Sequence, residues 1–204
     1  AGIVKLTLTR GAGGTGYAAA AGAAARRIVQ AFPPRVRAPD WSVGGVAVRR
    51  CRLRLAEQPA LAGLKHLNRL EQVLARREWN DPAIAEGLTA DVHGHVVCGT
   101  MTNVFAVYAD AIVTPDLARC GVAGVVRAQA LDWLAAAGHR VVVRDLRDIE
   151  LDSARELFLT NAVIGAWPVR ALDARGFAPG PVCRELQQRL AAAWDAPEGE
   201  PCTS

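Results

Sequence analysis

Lys65 stands in the run Gly63-Leu64-Lys65-His66-Leu67-Asn68-Arg69-Leu70, and no other residue of the chain is better placed for covalent chemistry. Leu64, Leu67, Leu70, Val73 and Leu74 recur at helical spacing. They predict one apolar face on a helix over 64–79, opened by the breaker-rich run 59–63. Lys65 falls beside that face, and no acidic residue occurs between Gln58 and Leu70. A lysine held at the edge of a core deprotonates more easily than a solvated one, because burial disfavours the ammonium. A neutral amine is the nucleophile that Schiff-base chemistry needs. The plainer reading of the same run is a surface lysine starting a helix, and this stretch alone leaves both readings open.

Other reactive residue types are less well arranged. His93 and His95 sit two apart across Gly94, but no cysteine or carboxylate trio completes a set, so no metal site is expected. Cys51, Cys98, Cys120, Cys183 and Cys202 are scattered, odd in number and without a CxxC pair, which suits a reducing, cytoplasmic setting. The loop Arg10-Gly11-Ala12-Gly13-Gly14-Thr15-Gly16-Tyr17 follows a strand but matches neither a P-loop nor GxGxxG. That loop and a net charge of +4 are the sole support for a binding module for anionic metabolites. Arg49, Arg50, Arg52 and Arg54 lie in an alternating, strand-like run that can be wholly solvated, and no aromatic residues interleave them, so no nucleic-acid partner is expected. No apolar run is long enough to span a bilayer.

The elements around these residues follow from their patterning. Residues 2–9 and 28–32 read as strands, the second stopped by Pro33-Pro34. Residues 43–55 read as a long strand with a bulge at Gly44-Gly45. A meander follows: strands at 86–91 and 95–98 around a turn at 91–94, then a hairpin of 103–108 and 111–114. The crossover Cys98-Gly99-Thr100-Met101-Thr102-Asn103 is small and polar, suited to backbone approach by a ligand. A helix over 122–137 carries Val122, Val125, Val126, Leu131 and Leu134 and ends at Gly138. Strands at 139–144, 156–160 and 167–172 and a last helix over 181–194 complete the chain. Several short strands with three helices indicate an α+β fold rather than an alternating Rossmann pattern. Residue 1 is not methionine and a strand begins almost at once, so a processed chain or fragment lacking an upstream partner is expected.

Five stretches, taken together, resemble the fold-type IV pyridoxal-phosphate enzymes, the group of branched-chain and D-amino acid aminotransferases and aminodeoxychorismate lyases. They are TRGAGGTGY at 9–17, LAGLKHLNRLEQVLAR at 61–76, GTMTNVF at 99–105, GVAGVVRAQ at 121–129 and ELFLTNAVIGAWPV at 156–169. GLKHLNRLEQ is similar to the lyases in particular. The resemblance implies the large C-terminal domain of that fold, a mixed sheet with barrel-like strands and packed helices, and pyridoxal 5'-phosphate as cofactor. It divides the chain into a strand and glycine-rich loop at 1–38, a cofactor-binding domain at 39–196 and a frayed tail at 197–204. It makes Lys65 the Schiff-base lysine and places Asn103 just after the residue opposite the pyridine nitrogen. It assigns Val125 and Val126 to the phosphate, with Asn161 and Ala162 as a second phosphate-contacting turn. Arg10 and Tyr17 fall near the substrate carboxylates. It also implies a small-molecule substrate, a homodimer and a smaller N-terminal domain.

The implied reaction is cleavage of 4-amino-4-deoxychorismate to 4-aminobenzoate and pyruvate, a step of folate biosynthesis. Two positions depart from the group. Cys98 stands where many members have a glutamate to pair with the pyridine nitrogen, which implies a weaker electron sink. Thr15 stands where lyases often have arginine, which removes one candidate carboxylate clamp. An aminotransferase of the same group and an inactive homologue or scaffold are the alternatives.

Overall fold

The computed structural model describes residues 2–33 and 41–195, and the tail expected to fray at 197–204 lies outside them. The chain divides into two compact units, Ala1–Ala38 and Pro39–Ser204. In the first, β1 (Ile3–Thr9) and β2 (Arg26–Phe32) pair antiparallel, Ile3 opposite Phe32 and Thr9 opposite Arg26. The glycine-rich loop joins them.

The second unit carries β3 (Val46–Leu55), α1 (Leu70–Arg76), β4 (Ile84–Asp91), β5 (His95–Gly99), β6 (Asn103–Val107) and β7 (Ile112–Pro115). There follow α2 (Val125–Ala136), β8 (Val141–Arg144), β9 (Leu146–Arg147), a 3-10 turn at Asp148–Ser153, β10 (Glu156–Asn161), β11 (Gly165–Leu172), β12 (Arg175–Gly176) and α3 (Pro181–Asp195). One mixed sheet runs in the order β8-β7-β6-β10-β11-β3-β4-β5-β9, with β12 beside β11. The β11–β3, β3–β4 and β7–β8 pairs are parallel and the others antiparallel. The path ends at β8 and β9, which Asp145 alone separates in sequence. The sheet therefore curls back on itself into a nearly closed barrel.

Strand alternation builds two cores from one sheet. Val104, Ala106, Leu157 and Leu159 point inward with Val46, Val48, Leu146 and Leu172. Their neighbours Phe105 and Phe158 point outward, stack at 4.8 Å, and pack under Val126, Ala130 and Leu134 of α2 and Leu186 and Leu190 of α3. The start of α3 is capped from the sheet: the buried Glu156 carboxylate accepts the N–H groups of Cys183 (2.6 Å) and Val182 (3.3 Å). Burial raises the pKa of Glu156 despite these bonds.

The structure corrects several expectations. The helix predicted over 64–79 forms only from Leu70 to Arg76. Carbonyls that a helix would turn toward its own N–H groups are taken elsewhere: the Arg69 guanidinium binds those of Leu64 and His66. The predicted apolar face is not a core face, because Leu64, Leu67, Leu70, Val73 and Leu74 are all exposed; α1 buries Ala75 against Cys51 and Trp79 instead. Helix α2 starts at Val125, three residues later than predicted, and its buried side is Val126, Arg127, Ala130 and Leu134, with the Val125 side chain exposed. The bulges of β3 lie at Ala47/Val48 and between Arg50 and Arg54, not at Gly44-Gly45. Arg50 is not a plain solvated charge: it bonds Asp148 (2.7 Å), Asp152 (2.8 Å) and Asp173 (2.9 Å). Cys51, Cys98, Cys120 and Cys183 are free thiols, and Cys202 lies outside the described residues. Among the described residues no helix is long and apolar enough to cross a membrane.

Candidate active site

Four segments of the second unit converge on a cavity of about 220 Å³: 65–72, 98–103, 122–126 and 161–162. Lys65, Cys98, Asn103, Val125, Val126, Asn161 and Ala162 all line it. Arg10 and Tyr17 belong to the first unit, both in the loop after β1, and their role at the substrate stays a proposal.

Lys65 is exposed rather than set at the edge of a core, so core packing does not supply the desolvation expected from the leucine pattern. Among the described residues its amine has no hydrogen-bond or ion-pair partner. The loop that carries it is joined to the opposite wall. Gly63, at φ 77°, donates its N–H to the Gly121 carbonyl (3.1 Å) and accepts from the Ala123 N–H (3.0 Å).

The wall facing the lysine is the start of α2. Its N-cap, Gly124, makes no side-chain cap, and the first turn holds no acidic residue. Among the described residues the N–H groups of Val125 and Val126 have no partner. Helix-start donors with the positive end of the helix dipole are suited to a phosphate dianion. Asn103 fixes the approach: its Nδ2 donates to the Val122 carbonyl (2.8 Å) and its Oδ1 accepts the Gly124 N–H (3.2 Å). A Cβ at position 124 would lie 2.3 Å from that Oδ1, so any side chain there must push the Asn103 amide out of place. Arg127, nearly buried, ties the same turn to β7 through Thr114 Oγ1 (3.3 Å) and the Pro115 carbonyl (2.9 Å), and desolvation lowers its pKa. The Asn161 side chain is occupied by backbone: Oδ1 accepts from Val163 and Ile164, and Nδ2 donates to Met101. Among the described residues the Ala162 N–H of the same turn has no partner, and Ala162 lines the cavity.

Replacing Asn103 by alanine strips partners from two half-buried backbone groups. A loss of about 1–3 kcal/mol in unfolding free energy is expected, together with weaker binding of pyridoxamine 5'-phosphate. Urea unfolding and a binding titration check this, and an unchanged pair of values would contradict the role given to Asn103.

The floor is moulded by a residue that pattern reading passed over. Glu86, fully buried on β4, accepts from the N–H groups of Gly87 (2.9 Å), Thr100 (3.0 Å) and Met101 (3.1 Å). It also accepts from the hydroxyls of Thr100 and Thr102. Beside that floor, the Cys98 thiol packs among Leu55, Val97, Leu117 and Cys120, with Thr89 Oγ1 at 3.8 Å. Burial pushes the thiol up to about 12, so it is neutral at physiological pH. In the sequence Arg127 shows as a charge on the core side of a helix, whereas Glu86 is a lone acid in a strand and reads equally well as solvated.

A curled mixed sheet that sets a lysine against an open helix start, over a wall of small residues, defines a fold-type IV pyridoxal-phosphate enzyme. The chain belongs to the class IV amino-transferase family, which matches residues 1–172. It is 37% identical over 191 residues to the aminodeoxychorismate lyase of Vibrio harveyi, a match covering 92% of this chain and 70% of that protein. The crystal structure of 4-amino-4-deoxychorismate lyase from Pseudomonas aeruginosa superposes with a TM-score of 0.90 at 49% identity, over 96% of this chain and 72% of that one. The branched-chain amino acid aminotransferase of Escherichia coli shares the fold, with a TM-score of 0.79 at 22% identity, over 94% of this chain and 65% of that one.

Proposed function

We propose that this chain carries the active site of a 4-amino-4-deoxychorismate lyase, releasing 4-aminobenzoate and pyruvate. The observation behind this reading is one cavity lined by both Lys65 and the open start of α2, in a chain of high identity to lyases. Pyridoxal 5'-phosphate, when bound, supplies an aldehyde that captures amines and a ring that accepts electrons. The N–H groups of Val125 and Val126, with the Ala162 turn, would hold its phosphate, and Lys65 would be its covalent anchor. Lys65 Nζ takes the proton from C4 of the substrate ring, and the carbon–oxygen bond to the enolpyruvyl group breaks as the ring becomes aromatic. The same Nζ returns that proton to the departing methylene carbon, giving pyruvate. One well-placed amine serves both proton transfers. The test is to mix the protein and pyridoxal phosphate with 4-amino-4-deoxychorismate and assay both products together. Turnover of D-alanine or a branched-chain amino acid, without 4-aminobenzoate, would replace this reading with an aminotransferase.

The neutral thiol of Cys98 suits elimination driven by aromatisation better than transamination. Cys98→Glu would offer a carboxylate that could pair with the pyridine nitrogen and stabilise its protonated form. A gain in transamination, little gain in lyase rate and a shifted cofactor spectrum are expected. The apolar neighbours of Cys98 also predict a lower melting temperature. An unchanged spectrum in a folded, loaded variant would show that Cys98 does not face the ring.

The protein is also proposed to be a homodimer when complete, two-fold pairs being the commonest assembly of such enzymes. Light scattering at micromolar concentration should give twice the chain mass; a fully active, cofactor-loaded monomer would contradict it.

A further inference from the structure

Arg69 reaches back along the chain and binds the carbonyls on both sides of Lys65. Its Nε donates to the His66 carbonyl at 2.8 Å, and its Nη2 to the Leu64 carbonyl at 2.9 Å. It also lines the cavity beside Lys65. We propose that Arg69 is a positioning residue for Lys65: its planar fork fixes the backbone flanking the amine and so sets where that amine stands in the cavity. The proposal rests on Lys65 being the Schiff-base residue of the reading above.

Little else can aim this lysine. Its side chain is exposed, its amine has no partner among the described residues, and its stem has four rotatable carbons. Residues 65–69 form neither helix nor strand. The loop is held upstream by the Gly63 bonds to Gly121 and Ala123, and downstream by the Val73 N–H on the Arg69 carbonyl. Between these anchors, among the described residues, the backbone of 65–68 is held by no hydrogen bond other than that from Arg69 to His66. A guanidinium presents parallel donors in one rigid plane and can span two carbonyls two residues apart. An ammonium at the same position keeps the charge but loses the fork. A displacement of about 1 Å in a reacting group can slow a reaction on the order of 10²-fold, so a brace of this kind acts on rate.

The test compares the wild-type protein with Arg69→Lys and Arg69→Met, each freed of cofactor. Pyridoxal 5'-phosphate is added, and the rise of the Schiff-base absorbance is followed, with the borohydride-fixed label mapped to Lys65. In parallel, pyridoxamine 5'-phosphate is titrated; it has an amine in place of the aldehyde and cannot bond the lysine, so its affinity reports the shape of the cavity. Both variants should form the Lys65 adduct about tenfold or more slowly while binding pyridoxamine phosphate within about twofold of wild type. Adduct formation at the wild-type rate in Arg69→Lys overturns the proposal. So does a loss of pyridoxamine phosphate affinity in step with the adduct rate, which would make Arg69 merely structural. A wild-type protein that places no label on Lys65 refutes the reading of the site itself, and the brace with it.

Discussion

Lys65→Ala is expected to lower 4-aminobenzoate formation by about 10³-fold or more, since it removes the one group proposed both to anchor the cofactor and to move both protons. The assignment is unusually open to test because the sequence contains two lysines, Lys5 and Lys65. Lys5 lies on β1 in the first unit, and Lys65 lines the cavity. Borohydride reduction of the loaded protein followed by peptide mapping therefore has two possible answers within this chain. The cofactor mass should appear on the peptide containing Lys65. A label on Lys5, or lyase turnover of Lys65→Ala within tenfold of wild type, would sink the assignment. Loading the variant with pyridoxamine phosphate separates lost chemistry from lost binding, because the α2 start and the Ala162 turn are untouched by the change.

The largest loss of stability is expected from Glu86→Ala. Gly87 and Met101 would each lose the Glu86 acceptor of a buried or half-buried N–H, two threonine hydroxyls would lose theirs, and the Thr100 N–H would fall back on the Gly87 carbonyl at 3.1 Å. Each orphaned buried group costs about 1–3 kcal/mol. Several together approach the roughly 5–15 kcal/mol by which domains are stable at all. Glu86→Gln keeps the volume but turns a donor toward groups that are themselves donors, so an intermediate loss is expected. Urea unfolding orders the three proteins, with the Gln variant between wild type and the Ala variant. A Glu86→Ala protein within about 1 kcal/mol of wild type would show that the 99–102 turn is held by something else.

The residues that line the candidate site were largely legible because its parts are local. Asn103 ends the crossover, the α2 start follows a glycine, and Asn161-Ala162 closes a strand; each is marked by turn residues within a few positions. The lysine helix was misread for a related reason. Its leucines have helical period, but periodicity reports that an apolar face exists and not what covers it, and these side chains are exposed. The structure of 64–69 is decided by non-local bonds, from Gly63 to the 121–123 segment, and by a guanidinium competing for helix carbonyls. No window of neighbouring residues contains that information. Glu86 escaped for the same cause: its distant partners lie in the turn at 100–102, beyond β5, and a lone acid in a strand looks solvated until the sheet places it inside. Barrel closure was expected only from the resemblance, since the approach of β8 and β9 depends on the order of every strand between them.

The two hydrogen bonds between Gly63 and the 121–123 segment run from main chain to main chain. The interval between the lysine loop and the open N–H groups at the start of α2 is therefore set by peptide geometry, and it survives side-chain change wherever position 63 keeps its left-handed conformation. A ligand is thereby sorted by span before any contact with its middle. On the proposed reading of the site, its electrophilic carbon and its anionic end lie one fixed reach apart, and a molecule with a longer or shorter arm is expected to occupy one end of the cavity but not both. Phosphorylated aldehydes of graded arm length, compared by the label they leave on Lys65, would read out that gauge directly.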